Sequence, residues 1–327
     1  MRSHEQSHTK DLSMPEVDIR RMAVDDMAAV AHLCEQELVL DDDARRLPEV
    51  LMRRPHEALV ATKDESKLVG VCIGSVAQHD LESPAGIIDL IVVDRRSQRQ
   101  GVGRRLVAEM EELLRRTGCK IINLTGNAPY FAWPGIDIHY TAAICMAEDL
   151  GYRRTGCEVN MDIDLLTAPL DTREDEERLR AAGFVIRPAQ PGDETILRTS
   201  LAPRWIPVWV DEVISSLHTD GARTHIALRG DECIGFCAYG LGRRNEIGPV
   251  GTDPSTRRLG VGAVLLKRCL TDLRDAGFTV AELGWVGPLS YFSRTVNATI
   301  GRAFWTYEKD LTSRDRPPDW RDRIGLI

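Results

Sequence analysis

Apolar residues along this chain recur in two rhythms, a period near two and a period near 3.6, and the same succession of rhythms runs through the chain twice. Short apolar runs of strand type open each passage, VDIRRM at residue 17 and FVIRPA at 184. Helical patterns follow, and then a pair of β-rich runs parted by charged turn residues, EALVATKDESKLVGVCIGSV (57–76) and THIALRGDECIGFCAYGL (224–241), which predict hairpins. Next comes a continuous apolar strand, IIDLIVV (87–93) or IGPVGT (247–252), leading into a GVG turn. The turn feeds a helix with apolar residues at i, i+3, i+4 and i+7, ending at Gly118 or Gly277, where a C-terminal glycine is expected. Another strand, KIINL (120–124) or TVAEL (279–283), and a last helix close each passage.

The repetition is visible in the residues themselves. Gly101 answers Gly260, Gly103 answers Gly262, Leu106 answers Leu265 and Gly118 answers Gly277, all at one offset. The chain therefore reads as two copies of one α/β unit. The predicted organisation is a tail over 1–16, a first domain over 17–168, a polar helical connector over 169–183, a second domain over 184–312 and a tail over 313–327. A length of 327 residues suits two cores of ordinary size.

Composition narrows the partners. A net charge of −8 argues against nucleic acid, which needs a broad basic face. No apolar run is long enough to span a bilayer, and the opening MRSHEQSHTKDLSMPEVD lacks the apolar segment of a signal peptide, so a cytoplasmic protein with no membrane partner is expected. All eight cysteines (34, 72, 119, 145, 157, 233, 237 and 269) fall singly in apolar patterns, without a CxxC pair or a histidine at ligand spacing. Buried free thiols and no metal are expected.

Positive charge is instead local, and it sits at the two GVG turns. A strand that feeds a helix through a tight turn leaves the first N–H groups of the helix unpaired, and with the helix dipole they form an anion site. Glycine lets the backbone approach the anion, while Arg99, Arg104 and Arg105, or Arg257 and Arg258, add charge. A pyrophosphate is the natural guest. The nucleotide-triphosphatase loop GxxxxGK[ST] is absent, and Leu106 and Leu265 stand where a dinucleotide fold needs its third glycine.

Taken with its flanks, the pattern is Gln98 or Arg257, two residues, glycine, one residue, glycine, directly after a buried strand. It resembles the acetyl-CoA signature of the GCN5-related N-acetyltransferases (GNAT), over about residues 17–165 and 183–312. The resemblance implies an α/β fold of two tandem domains, each a twisted mixed sheet flanked by helices, and acetyl-CoA as co-substrate. It further implies that pantetheine pairs with the strand backbone at Ile91, Val92 and Val93 in the first copy and at Val250, Gly251 and Thr252 in the second. The pyrophosphate turn would be Gln98, Arg99, Gln100, Gly101, Val102 and Gly103, or Arg257, Arg258, Leu259, Gly260, Val261 and Gly262.

Acetyl transfer to an amine asks for a base, because a group with a pKa near 10 must lose a proton before it attacks the thioester. Glu246 and Glu282 are the candidates in the second copy, and Asp89 is the analogue in the first. Family members usually protonate the leaving thiolate with a tyrosine in the last helix. Here the customary position is Phe292, with Tyr291 one residue earlier, and the first copy has Ala147. The second copy is therefore expected to do the chemistry with Tyr291 as acid, and the first to be degenerate. Cys145 or Cys237 as an acyl carrier is the alternative to direct attack.

NAPYFAWPGIDIHYTAA (127–143) has no counterpart in the second copy. Its aromatics around ProGly predict a rigid loop with a polar tip at Asp137, and Tyr130, Trp133 and Asp137 are candidate substrate contacts. The segment resembles the YFxPGxD stretch of tandem acetyltransferases acting on glucosamine and glucosaminides. A small-molecule amine acceptor, an amino sugar first and a mycothiol-type cysteinyl amine second, is expected. An acetyl-CoA-binding regulatory protein without turnover is the reading from another class.

Overall fold

In a computed structural model, the described residues are 17–63, 67–77 and 84–313, so the predicted tail over 1–16 and most of 313–327 lie outside them. The first passage contains β1 (Val17–Arg21), α1 (Met27–Glu37), α2 (Leu47–Leu51), β2 (Glu57–Lys63), β3 (Lys67–Val76), β4 (Ala85–Val93), α3 (Val102–Arg116), β5 (Ile121–Leu124), the two-residue β6 (Ile136–Asp137), α4 (Thr141–Asp149) and β7 (Arg153–Asp164). A connecting helix, α5 (Arg173–Ala181), leads to the second passage: β8 (Phe184–Pro188), α6 (Glu194–Leu201), α7 (Pro207–Ser216), β9 (Arg223–Arg229), β10 (Glu232–Tyr239), β11 (Glu246–Thr252), α8 (Val261–Asp275), β12 (Val280–Leu283), α9 (Leu289–Val296) and β13 (Thr299–Asp310).

The strands form one mixed sheet in the order β1-β2-β3-β4-β5-β13-β7-β12-β11-β10-β9-β8, with β6 on β13. Each passage keeps its own antiparallel meander and its own parallel pair, β4 with β5 and β11 with β12. The last strands, however, are exchanged. β13 pairs with β5 of the first passage, β7 pairs with β12 of the second, and the two run antiparallel to each other at the centre. The core records the exchange: Tyr307 of β13 is buried among Leu106, Met110 and Leu114 of α3, and Met161 and Ile163 of β7 are buried among Leu265, Cys269 and Leu273 of α8.

The helices that carry the GVG turns are amphipathic because every inward position is filled by a branched or long apolar side chain, on α3 Leu106, Val107, Met110 and Leu114. Both stop in the same way. Gly118 and Gly277 take left-handed φ values of 93° and 94°. Their N–H groups bond Arg115 and Arg274, and the next residues bond back to Leu114 and Leu273, closing the last turn.

The cysteine expectation needs a correction. Six thiols are buried, but Cys145 on α4 and Cys157 on β7 are exposed, because each lies on a side of its element that no layer covers.

Candidate functional site

Both passages open a wedge in the sheet at the same place. β4 and β5 pair only from Ala85–Ile121 to Ile88–Leu124, and β11 and β12 only at Glu246–Glu282 and Ile247–Leu283. Beyond those pairs β4 and β11 run on toward the GVG turns without a parallel neighbour, so the backbone of Ile91, Val92 and Val93, or of Val250, Gly251 and Thr252, lines the wedge.

The two turns share one backbone shape. Arg99 and Arg258 have φ of 62° and 65°, and Gly101 and Gly260, at the helix N-caps, have φ of 83° and 91°. Neither N-cap has a side chain that caps the helix, so the N–H groups of the first turn are left to face an incoming anion. Gln98 is tied back to the strand, its Nε2 donating to the Val93 carbonyl at 2.9 Å. In the second copy a residue from the connector joins the turn: Arg178 of α5 donates from Nη1 to the Leu259 carbonyl at 2.7 Å, beside Gly260 and the exposed Arg257 and Arg258. No sequence pattern marks Arg178, since α5 is polar on nearly every face and only packing against α8 selects it.

Tyr291 and Phe292 differ in direction. Phe292 is buried in the core of the second half, whereas the Tyr291 hydroxyl reaches the start of α8, where a Cβ added to Gly262 would stand 3.0 Å from it and 3.3 Å from Thr252. Burial pushes the phenol up to about 12, so it keeps its proton at neutral pH. Met146 of α4 is the counterpart in the first half, its sulfur meeting the same position at Gly103. Ala147 is buried.

The two glutamates, though paired across β11 and β12, have different environments. Arg243, in the loop before β11, grips Glu282 with two bonds of 2.7 Å, and Asn160 of β7 donates to the same carboxylate. Burial pushes Glu282 up, but these donors and the charge of Arg243 hold it below its ordinary value. Glu246 has only long contacts with Arg243, 3.4 Å from the backbone N–H and 3.5 Å from Nη2. Burial raises it to about 7, the charge of Arg243 opposing and that of Glu282 adding. A carboxylate that exchanges its proton near neutrality is suited to act as a base; one locked to an arginine is suited to hold structure.

The loop over 127–143 is shared between the halves. Its far side covers the second copy: the Ala132 carbonyl accepts from Arg243 Nε at 2.9 Å, and the Phe131 ring meets Trp285 edge-on with centroids 5.1 Å apart. Its near side walls a cleft of about 760 Å³ in the first half, lined by Trp133, Asp137, His139 and Tyr140 and also by Arg99, Gly101 and Gly103. Trp133 also donates from Nε1 to Asp41 at 3.1 Å, while Tyr130 contributes its carbonyl to Arg54 at 3.1 Å. Arg54 in turn holds Asp89, which Ser75 also bonds at 2.6 Å, and burial raises this carboxyl to about 6 against the charge of Arg54.

Asp137 does not stand at an exposed tip. It is 2% exposed, pairs through β6 with β13, and accepts from Arg302 Nε at 2.7 Å on one oxygen and from His139 on the other. The reason is the strand exchange: β13 carries Arg302 into the first half, where it also bonds Asp41 at 2.7 Å. Arg243 and Arg302 belong to the site although nothing in their sequence context singles them out.

The chain can now be set against known proteins. Residues 19–131 and 194–288 match the acetyltransferase (GNAT) family model. No curated protein matches the chain significantly. Among solved structures, the GCN5-related glucosamine N-acetyltransferase region of a fungal multi-domain GH3 β-N-acetylglucosaminidase is similar with a TM-score of 0.72 and 16% identity over 91% of this chain, which spans 38% of that one. A tandem GNAT protein from the clavulanic acid biosynthesis pathway is similar with a TM-score of 0.65 and 15% identity, over 92% of this chain and 100% of that one. A GCN5-related N-acetyltransferase from Sphaerobacter thermophilus has a TM-score of 0.61 and 18% identity, over 90% and 96%. At these identities the likeness is one of fold, whereas the family model matches more than half of the sequence, in both passages. With both wedges and both anion turns in place, the chain belongs to the GNAT acetyltransferase family and is an acyltransferase built as a tandem pair.

Proposed function

We propose that the protein transfers acetyl from acetyl-CoA to the primary amine of a small molecule, an amino sugar such as glucosamine being the leading class, by direct attack in the second half. The observation that carries this reading is the wedge that opens beyond the β11–β12 pairs, with the arginine-rich turn at Gly260 and the protonated Tyr291 at the start of α8 on one side and Glu246, poised near neutrality, among the last paired residues. Pyrophosphate would take the N–H groups of Val261 and Gly262 with charge from Arg257, Arg258 and Arg178, and pantetheine would pair along Val250, Gly251 and Thr252. Glu246 takes the ammonium proton. The free amine attacks the thioester carbon, the C–S bond breaks with its electron pair on sulfur, Tyr291 donates a hydrogen bond to the departing thiolate, and the second N–H proton passes to the thiolate by way of solvent. Arg243, fixed by Glu282, lies in long contact with Glu246, and the two belong to positioning. The chain's first half would bind acetyl-CoA at the Gly101 turn, through Arg99, Gln98, Gln100 and Val102 and the strand residues 91–93. Tyr130 and Trp133 fix the loop that roofs the acceptor.

The amino-sugar reading draws on the YFAWPGID stretch and on the name of the fungal relative, which is a glucosamine N-acetyltransferase region. The test is a panel of amines, with glucosamine, glucosaminides and cysteinyl amines among them, assayed for thiol release from acetyl-CoA. Amine-dependent release with an amino sugar as the best acceptor supports the reading. Acetyl-CoA binding with no turnover on any amine would turn it toward a regulatory acetyl-CoA sensor.

A further inference from the structure

We propose that the cleft of the first half is a second acyl-transfer site, in which His139, oriented by Asp137, takes the proton from an amine that then attacks a coenzyme A thioester lying on the Gly101 turn. The inference rests on the reading that the chain uses acetyl-CoA, and it adds a reaction centre in the half expected to be degenerate.

The geometry is that of an oriented imidazole in the wall of the cleft that also takes in the Gly101 turn. His139 Nδ1 lies 2.7 Å from Asp137 Oδ1, and the His139 backbone N–H donates to the same oxygen at 2.9 Å. Asp137 is anchored on its other oxygen by Arg302, and Arg302 by Asp41, so a buried chain of charges fixes the ring. The carboxylate accepts the Nδ1 proton, which assigns the lone pair to Nε2. The imidazole itself is 61% exposed on its side-chain surface and lines the cleft, so Nε2 is reachable by a ligand. Burial pushes the Asp137 carboxyl up, but hydrogen bonds from His139 and Arg302 hold it below its ordinary value, and it stays charged at neutral pH.

The carboxylates that share the cleft each have a partner. Glu37 accepts the Arg95 backbone N–H at 3.0 Å, Asp89 is held by Arg54 and Ser75, and Asp149 pairs with Arg104. The Tyr140 hydroxyl, which lines the same cleft, is buried without a hydrogen-bond partner, and burial raises it to about 12. It keeps its proton at neutral pH.

His139 Nε2 removes one proton from the ammonium, the freed lone pair forms the C–N bond, and the C–S bond breaks with its electron pair on sulfur. The second N–H proton passes to the thiolate by way of solvent, giving amide and free thiol. His139 then returns its proton to water.

The full-length Gly260→Asp variant isolates the first half by placing a negative side chain in the second anion turn. Calorimetry with acetyl-CoA on this variant should retain one binding event, and adding Gly101→Asp should abolish it. Thiol release by Gly260→Asp with the best amine of the panel should persist and fall at least tenfold on adding His139→Gln, with acetyl-CoA affinity and melting temperature unchanged. Loss of all turnover in Gly260→Asp, while the unmodified protein remains active, overturns this inference and leaves the proposed function standing. So does turnover indifferent to His139→Gln. An unmodified protein inactive on every amine removes both.

Discussion

Glu246 and Glu282 stand directly opposite one another on neighbouring strands, yet one is raised to about 7 and the other held low. Sequence offers them as equals; the placement of a single arginine separates them. A base works only when deprotonated, so acetyl transfer in the second half should rise as pH passes upward through about 7, and Glu246→Gln should lower kcat about 10²-fold or more and remove that rise. A pH profile of kcat/KM checks this. An unchanged profile would assign the base elsewhere. For Tyr291, the expected loss on Tyr291→Phe is about 10²- to 10⁴-fold in kcat with acetyl-CoA binding kept, since only the group that stabilises the leaving sulfur is removed. Rapid-quench kinetics beside calorimetry separates the two effects, and a drop under threefold would mean that the thiolate leaves without help.

At the scale of the element, strand, turn and helix act as a unit. The turn can hold an anion because Gly260 adopts φ of 91° at a helix N-cap that no side chain fills, with Arg178 leaning on the same turn. Gly260→Asp introduces a carboxylate that can pair with Arg178 and occupies the place of the pyrophosphate. Acetyl-CoA affinity at this site should weaken at least tenfold, about 1.4 kcal/mol. Titration calorimetry on the folded variant is the check, and an unaltered second site would exclude this turn as the anchor. The motif was legible because glycine spacing, flanking charge and an amphipathic helix must all coincide for such a turn to work. Arg178 was not legible, because its role depends on where a connector lands.

For the whole molecule, the exchanged strands β7 and β13 make one sheet of two repeats, and they draw charge to the seam. Arg302, on the second half's last strand, is buried against Asp41 and Asp137 of the first half. Removing one partner of a buried pair leaves its counter-charges unmatched, at a cost of about 3 to 5 kcal/mol. Arg302→Met should therefore lower the melting temperature by on the order of 10 °C, and it should impair the first cleft through Asp137. Differential scanning calorimetry would show it. Stability equal to that of the unmodified chain would mean that the network is solvated and contributes little.

Periodicity, glycine placement and the repeat at one offset determined the class of fold, the order of the main elements in each passage as far as its last helix, the two glycine turns and the family. These are local properties: a strand alternates, a helix needs one apolar face, and a left-handed N-cap needs glycine, whatever lies elsewhere in the chain. The tertiary structure alone showed the last strands, β7 and β13, and decided their exchange, because which parallel strand each one joins depends on distant parts of the chain. From that exchange follow the burial of Asp137, which the sequence suggested as an exposed tip, and the orientation of His139. It also brings Asn160 of the first passage onto Glu282 of the second, where Arg243 completes the clamp. Burial and charge pairing are sums over distant residues, and no window of the sequence contains them.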